Sequence, residues 1–360
     1  MRSAHYVPIL RGKAGEIHAV ATVPVSLHGR FTPLVDLPRP DRPSSGEPPA
    51  LEPYVRRFAA AIGEAWASGP RFYLECASLD GMGTFGDGTH PLHFLLGELI
   101  EGRGMRVVPV VGLGRSSAYQ YAVADAVRQA GRSLALRLAD ADFGPGLAVR
   151  AAEFVTSLGS APGATDVIVD LGEVPADAVN TKTMVAAAIV RELTHGEPWR
   201  SVMVAGSGIG ASAASAPAEA AVRMPRSELA VWRAVDREVP GARVVFGDYG
   251  ATGAAFTPFD PARMRPPGAK FRYTVEEAYI VLRRRREEGL DGFRAIAQTV
   301  RELPEFSGRD FSWGDRYIDD CAEGRSGTSN RSRWVAVATS HHITLVVRQL
   351  GRGFSTPDAP

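Results

Sequence analysis

Short apolar runs, many of them rich in β-branched residues, recur along the first 250 residues of the chain. Eight such runs stand out: Tyr6–Leu10, Phe31–Asp36, Arg71–Cys76, Arg106–Gly112, Ser133–Leu138, Asp166–Leu171, Ser201–Ala205 and Arg243–Asp248. None of them alternates cleanly between apolar and polar positions. Continuous apolar runs of this length are typical of strands that are buried on both faces in a parallel sheet.

Segments with a helical pattern lie between these runs, including Pro53–Ala67, Ser117–Ala130, Thr181–Leu193 and Ser227–Val239. Strands that alternate with helices indicate βα units. Eight units in this length predict a (β/α)8 barrel of the TIM type. An open doubly wound sheet is the main alternative, but its G-x-G-x-x-G fingerprint does not follow the first predicted strand.

The remainder of the chain predicts a smaller element attached to the barrel. We assign residues 1–258 to the barrel and 259–352 to a C-terminal, mainly helical appendix packed on it. A strong helix is predicted near Val275–Leu303, where the charged run RRRREE forms a solvated face. Residues 353–360 are predicted to be a flexible tail.

Two adjacent histidines, His341 and His342, stand in the closing stretch VATSHHITLVVRQLG. This stretch predicts a helix capped by Thr328 or Ser329 and running to about Gln349, but its β-branched residues leave a strand open. Neighbouring side chains diverge in both structures. We therefore expect the two rings not to chelate one ion, and at most one of them to serve a ligand site, by reaching the barrel mouth.

Composition narrows the class of protein. Lysine and arginine total 41 against 40 acidic residues, a net charge of +1, so no electrostatic argument favours nucleic acid or a membrane surface as partner. No apolar stretch approaches the 18 residues of a membrane span. Two cysteines, Cys76 and Cys321, are too few for a disulfide framework and fit a reducing cytoplasm.

Charged residues recur at the carboxyl ends of the predicted strands, where barrel enzymes carry their active sites. The candidate catalytic residues are Lys13, Glu75, Asp170 and Asp248, and the candidate ligand-binding residues are Asp36, Arg137, Tyr249, Arg272, His341 and His342. Crowded carboxylates can hold a divalent metal such as Mg²⁺, for which Glu75, Asp170 and Asp248 are the candidates, or can form an acid–base pair. The structural alternative is a set of ion pairs that close the barrel mouth, such as Arg137 with Asp170.

A glycine-rich stretch, AGSGIGAS, follows the seventh predicted strand. Barrels often bind phosphate in the loops after strands seven and eight, using backbone N–H groups. Gly206, Ser207 and Gly208 are therefore candidate phosphate ligands. A tight βα turn also favours glycine, so this stretch has a purely structural interpretation as well.

Several stretches together resemble a known family. They are YVPILRGKAGEIHAV, FTPLVDLP, RVVPVVGLGR, VIVDLGEV, VVFGDYGAT, KFRYT, FSWGDRYI and RWVAVATSHHITLVVRQL. They resemble the beta-protein family, which is named after a T-even phage protein and occurs in many bacteria. The resemblance implies a barrel-like core and a place in phage-related or mobile-element gene neighbourhoods, and hence a role in phage–host conflict.

Two functions fit these observations. The first is an enzyme of the hydrolase class that binds a small anionic ligand, phosphate-like or nucleotide-like, in the barrel mouth. The second is a non-catalytic sensor or scaffold in antiviral defence that binds a partner protein of a defence or mobile-element operon. The charged strand ends favour the first function, whereas the large appendix and the lack of a recognisable catalytic motif favour the second.

Overall fold

The structure is a computed structural model that describes residues 6–41, 50–67, 69–129, 131, 133–210, 217–255 and 268–352. The predicted flexible tail, residues 353–360, lies outside this described part. So do residues 42–49, in a proline-rich stretch after the second strand, and residues 259–267 at the start of the predicted appendix.

Eight parallel strands form a closed barrel, as the sequence predicts. They are β1 (Tyr6–Arg11), β2 (Leu34–Asp36), β3 (Phe72–Glu75), β4 (Val107–Val111), β5 (Leu134–Leu138), β6 (Thr165–Glu173), β7 (Ser201–Ser207) and β9 (Val245–Asp248). The barrel closes where β1 pairs with β9, with Tyr6 opposite Phe246 and Pro8 opposite Asp248. The predicted barrel is confirmed.

Two apolar layers build the core. Alternate residues of the strands, such as Ile9, Ile168 and Met203, fill the barrel interior. The other set of alternate residues packs outward against a ring of helices. These helices are α1 (Ala14–Thr22), α2 (Leu51–Ala65), α3 (Pro91–Gly97), α4 (Ser117–Gln129), α5 (Leu147–Ser157), α6 (Val179–Gly196) and α7 (Ser227–Glu238).

A buried carboxylate on β6, that of Asp166, lies at the amino ends of the strands. Asp166 accepts hydrogen bonds from Tyr73 Oη at 2.6 Å, from Arg200 Nε at 2.8 Å and from Ser201 Oγ at 2.6 Å. A buried carboxylate with this many donors is stabilised in its charged form, and the pKa of Asp166 is accordingly lowered although its burial acts in the opposite direction. Polar contacts of Asp166 thus link β3, β6 and β7 at this end of the barrel.

A three-stranded antiparallel sheet stands beside the barrel, with strand order β10–β11–β8. It contains β8 (Ala221–Pro225), β10 (Lys270–Thr274) and β11 (Ala278–Arg283), and is followed by α8 (Gly292–Glu302), α9 (Trp313–Ala322) and α10 (Arg331–Gly351). The single helix predicted near Val275–Leu303 is wrong. Its first part is a strand whose partner β8 lies some 50 residues upstream, and only its last part is helical.

The last helix, α10, packs on the outside of the barrel. It contacts α1 and β1, and its residues Ile343, Val346 and Val347 belong to the same apolar core as the barrel helices. Its N-cap is Asn330, whose side chain accepts from the N–H of Arg333, and the helix runs through Gly351. The helical alternative for the histidine stretch is therefore the correct one. The division of the chain at residue 258 stays a prediction.

Within the described residues, no helix combines the length and the apolar character that crossing a membrane requires.

Candidate functional site

Five polar side chains from different strands meet at the carboxyl end of the barrel. They are Asp36 (β2), Glu75 (β3), Arg137 (β5), Asp170 (β6) and Tyr249, which directly follows β9. Their side chains point into the barrel, as do those of the apolar interior. Each lies one inward-facing position nearer to the mouth than the apolar residues. Together with Arg11 and Arg115 we call them the mouth cluster.

Arg137 is the centre of the mouth cluster. Its Nη1 donates to Glu75 Oε2, and its Nε and Nη2 donate to Asp170 Oδ2 at 3.0 and 2.8 Å. Nη2 also contacts Tyr249 Oη at 2.7 Å, and Tyr249 donates to Asp170 at 2.6 Å. Burial lowers the pKa of Arg137, but Glu75 and Asp170 raise it well above its usual value, so Arg137 stays charged. The expected Arg137–Asp170 pair is present and Glu75 joins it.

Two further arginines border this centre. Arg115 Nη2 donates to the second oxygen of Glu75 at 3.0 Å, so Glu75 is fully buried between two guanidinium groups. Arg11, at the end of β1, donates to the backbone oxygens of Gly253 and Ala254 at 3.0 and 2.6 Å. Glu75 and Asp170 are thus both paired with guanidinium groups.

Asp36 differs from the other two carboxylates of the mouth cluster. Its Oδ1 atom is buried and has no hydrogen-bond partner within the described residues. Burial raises the pKa of Asp36 to about 7, and the neighbouring charge of Glu75 acts in the same direction. Arg137, Arg11 and Arg115 lower the pKa only in part. A carboxyl group with a pKa near neutrality can both give and take a proton at physiological pH.

Glu16, in the first turn of α1, is a second carboxyl group of this kind. It is buried and accepts a hydrogen bond from Thr252 Oγ1 at 3.0 Å. Burial raises the pKa of Glu16 to about 7, against the effects of Thr252 and of Arg11. Its sequence signal was only an acidic residue in a first helical turn, which usually indicates a favourable charge at the helix N-terminus.

Asp248 does not join the mouth cluster. It faces outward from β9, where its Oδ1 accepts from Tyr6 Oη at 2.5 Å and its Oδ2 lies 2.9 Å from His342 Nε2. Burial would raise the pKa of Asp248, but His342, Arg226 and Tyr6 hold it below the usual value. The order of inward and outward residues along β9 places Tyr249, not Asp248, inside the barrel.

The two histidines of α10 bond to different carboxylates. His341 Nδ1 lies 2.8 Å from Asp315 Oδ2, and its Nε2 lies 2.7 Å from the carbonyl oxygen of Thr274. His342 Nδ1 lies 2.9 Å from Thr274 Oγ1, opposite its contact with Asp248. Burial lowers the pKa of His342. Both rings are fully buried; His342 bonds to the outer side of the barrel, and His341 bonds to α9 and β10.

The remaining candidates are dispersed. Lys13 precedes α1, and its Nζ forms an ion pair with Asp41 at 2.9 Å. Arg272 lies on β10 and donates to the carbonyl oxygen of Ala251 at 3.0 Å. Among the described residues, no group of three or more His, Cys, Asp or Glu side chains is placed to hold a metal ion. The residues considered for a metal divide between two clusters, with Glu75 and Asp170 at the mouth and Asp248 outside.

The glycine-rich stretch after β7 is hydrogen-bonded to a carboxylate of the same chain, that of Glu228. Gly208 N donates to Glu228 Oε2 at 2.7 Å, and Ser207 Oγ accepts from the N–H of Ile209 at 3.1 Å. A Cβ on Gly206 would lie 2.8 Å from Val174 Cγ2. These contacts hold Gly206, Ser207 and Gly208 at the carboxyl end of β7, beside the start of α7, and the next element described along the chain is the strand β8 rather than a helix. Their role as phosphate ligands stays a prediction. Residues 211–216 of this stretch lie outside the described chain.

Arg226 and Glu228 are buried charges that the sequence did not single out. Arg226 Nη1 donates to Gln349 Oε1 at 2.9 Å, and its Nε lies 3.4 Å from Glu228 Oε1. Glu228 also accepts from Tyr279 Oη at 2.8 Å. Both residues stand at the start of α7, where polar residues normally cap a helix in solvent. The small sheet, the end of α10 and β9 all contact Arg226.

The chain is weakly similar to several solved structures. The catalytic module of a family 98 glycoside hydrolase from Streptococcus pneumoniae TIGR4 is similar with a TM-score of 0.40 and 10% identity, over 68% of this chain and 46% of that one. The chain thus spans about half of that module. Triosephosphate isomerase from Bartonella henselae is similar with a TM-score of 0.37 and 12% identity, over 69% of this chain and 92% of that one. No curated protein matches the sequence.

The family comparison covers nearly all of the chain. The family described as Beta protein matches residues 6–348, which include the barrel, the small sheet and almost all of α10. The stretches quoted above for the resemblance fall within this match, except for the last two residues of the closing stretch. The chain belongs to the Beta protein family.

Proposed function

We propose that the barrel mouth binds a small anionic ligand and that Asp36 exchanges a proton with it. The observation that carries this proposal is the state of Asp36, a half-buried residue whose carboxyl group has a pKa of about 7 and whose buried Oδ1 has no hydrogen-bond partner in the described chain. A bound ligand would supply that partner. An unsatisfied polar atom costs stability, and such costs often persist where function requires them.

The charge of the mouth depends on proton binding. Three guanidinium groups, those of Arg11, Arg115 and Arg137, stand with the carboxyl groups of Asp36, Glu75, Asp170 and, beside Arg11, Glu16. When Asp36 and Glu16 are protonated, the guanidinium groups outnumber the remaining carboxylates, and the mouth attracts an anion. Binding of an anion and binding of protons should therefore favour each other.

The same carboxyl group gives a chemical role for hydrolysis of a phosphate ester. Water adds to phosphorus, the P–O bond to the leaving oxygen breaks, and protonated Asp36 gives its proton to that oxygen. The attacking water loses a proton, which returns Asp36 to its starting state. Arg115 and Arg137 would stabilise the negative charge on phosphate. Glu75, Asp170 and Asp248 take no part as acid or base, because each is already bonded to a cation or to buried donors.

Calorimetric titration with sodium sulfate at pH 7 tests the binding step, because sulfate does not titrate in this range. Measured in two buffers of different ionisation enthalpy, the wild type should take up a fraction of a proton for each sulfate bound. Asp36→Asn should lower that uptake, whereas Asp310→Asn, at a side chain 88% exposed, should leave it unchanged. Equal uptake in the wild type and Asp36→Asn would remove the basis of the proposal.

Turnover of 4-nitrophenyl phosphate separates an enzyme from a sensor. If the protein is an enzyme that uses Asp36 as its acid, it should hydrolyse this compound. The Asp36→Asn variant should then be about 10²–10⁴-fold slower. Sulfate binding with proton uptake but without turnover favours the sensor that passes the signal to a partner protein. In both cases we propose that the ligand is encountered in phage–host conflict, for which family membership is the only support. Plaque counts on cells carrying wild-type or Asp36→Asn protein test that role.

A further inference from the structure

A cavity lies away from the mouth, between β10, α8, α10 and the turn after β9. Its volume is about 110 Å³, and its lining includes Lys270, Arg272, Arg331, Phe293, Trp334 and Thr252. Three of these residues are basic and no lining residue is acidic. None belongs to the mouth cluster. The cavity is a separate cationic site that the barrel-mouth proposal does not use.

Two of the basic side chains lack a counter-ion in the described part of the chain. Arg272 donates Nη1 to the carbonyl oxygen of Ala251, and its buried Nε has no hydrogen-bond partner there. Burial, with no carboxylate acting against it, lowers the pKa of Arg272 to about 10. Burial and then the charges of Arg272 and Arg283 lower the pKa of Lys270 to about 8.

The strand register brings like charges together. Lys270 lies directly opposite Arg283 in the β10–β11 pair, and Arg272 is on the same face of β10 as Lys270. Like charges directly opposite in an antiparallel pair are destabilising. Thr252 Oγ1, at the cavity wall, donates to Glu16, but that carboxyl has a pKa of about 7 and supplies only a partial counter-charge near neutrality.

Burying cations without partners costs free energy, because the interior replaces little of their hydration. An arrangement of this kind is stable when an anion occupies it. The cavity exceeds the roughly 30 Å³ share of a single water molecule, which leaves room for a tetrahedral oxyanion. A guanidinium group and an ammonium group on one face match the oxygens of such an anion.

We propose that this cavity binds a phosphate-type oxyanion, held by Lys270 and Arg272 with Arg331 at its wall. The anion is either free in solution or the charged group of a larger ligand that enters from the barrel side. It acts as a structural counter-ion between the small sheet and α10. This role differs from that of the mouth ligand, since proton exchange with Asp36 is not involved.

Thermal unfolding in sodium phosphate and in sodium chloride, at equal ionic strength and pH 7, tests the proposal. Phosphate should raise the Tm of the wild type by about 2 °C or more, as expected for a ligand that binds only the folded state. Lys270→Met removes one cation and, within the described residues, no side-chain hydrogen bond. It should reduce the rise to whatever part comes from anion binding at the mouth, while leaving the Tm in chloride equal to or above that of the wild type, because repulsion is relieved.

Controls separate this site from the mouth. Arg223→Met removes an exposed cation of β8 that is paired with Glu305, and Asp36→Asn alters the mouth; both should keep the phosphate-dependent rise. Arg272→Gln should weaken phosphate binding at least tenfold by calorimetry. The proposal is overturned by an equal Tm of the wild type in the two salts. It is also overturned if Lys270→Met keeps the full rise while Asp36→Asn loses it, which would assign the anion to the mouth.

Discussion

His342 Nε2 lies 2.9 Å from Asp248 Oδ2, so a side chain of the last helix bonds to the last strand of the barrel. Asp248 also accepts from Tyr6 on β1, and the contact therefore lies on the seam where the barrel closes. All three side chains are fully buried. The C-terminal helix α10 therefore stabilises the seam through a polar contact.

Replacing His342 with Ala should therefore destabilise the fold strongly. The change leaves the buried carboxylate of Asp248 with fewer donors and opens a cavity, which together cost about 3–5 kcal/mol. Urea unfolding followed by circular dichroism measures the loss. His195→Ala, at an exposed position near the end of α6, should change stability by less than about 0.5 kcal/mol. A loss below about 1 kcal/mol for His342→Ala would contradict the seam account.

Arg137→Met should be among the most destabilising single changes at the mouth. It leaves the carboxylates of Glu75 and Asp170 buried without their main counter-charge, at a cost of about 3–5 kcal/mol. Arg137→Lys should recover only part of this, because an ammonium group cannot bond both carboxylates in the geometry of a guanidinium fork. Full stability of Arg137→Lys would show that charge alone, and not the fork, is required.

The strands could be predicted because of how a barrel buries them. A strand covered on both faces carries an uninterrupted apolar run, and that local signal located all eight. The hairpin of β10 and β11 was missed, because the region was assigned as one helix that includes the charged run after AYIVLR. KFRYT alternates apolar and polar residues in the manner of a half-buried strand, and β11 pairs with it directly. The second partner of β11 is β8, far upstream, and that pairing leaves no local pattern.

Gly208→Ala tests whether the turn after β7 is fixed by the chain itself. An added Cβ would lie 2.6 Å from the carbonyl oxygen of Pro225 and 2.7 Å from Glu228 Oε2. Overpacking of this degree costs about 1–3 kcal/mol. Gly114→Ala meets no atom within 4 Å and should change stability by less than about 0.5 kcal/mol. Equal stabilities of the two variants would show that the turn is free to adjust.

The candidate site could be predicted in part. Asp36, Glu75, Arg137, Asp170 and Tyr249 follow from strand ends, because parallel strands bring their carboxyl ends together. Asp248 was misplaced because one residue along a strand reverses the side of the barrel. The sequence could not predict that Asp36 and Glu75 have different hydrogen-bond partners. The difference depends on which carboxylate the side chains of Arg115 and Arg137 reach, and that is set by rotamers and distances rather than by spacing in the sequence.

Asp36→Asn should stabilise the protein at alkaline pH. The folded-state pKa of Asp36, about 7, lies above its value near 3.9 in an unfolded chain. The folded state therefore binds more protons between these values, and its stability falls as the pH rises through them. The amide variant should be more stable than the wild type at pH 8 and no more stable at pH 4, by urea unfolding. A difference that does not vary with pH would contradict a raised pKa.

The titration of Asp36 itself is the most direct test of the proposed site. In protein labelled at the aspartate carboxyl carbons, one NMR resonance should be absent from Asp36→Asn and should titrate with a midpoint of about 7 in the wild type. Sulfate should raise this midpoint, because an anion in the mouth favours the protonated acid. A midpoint near the usual value of about 3.9, unchanged by sulfate, would contradict the account of Asp36 as the proton-exchanging group.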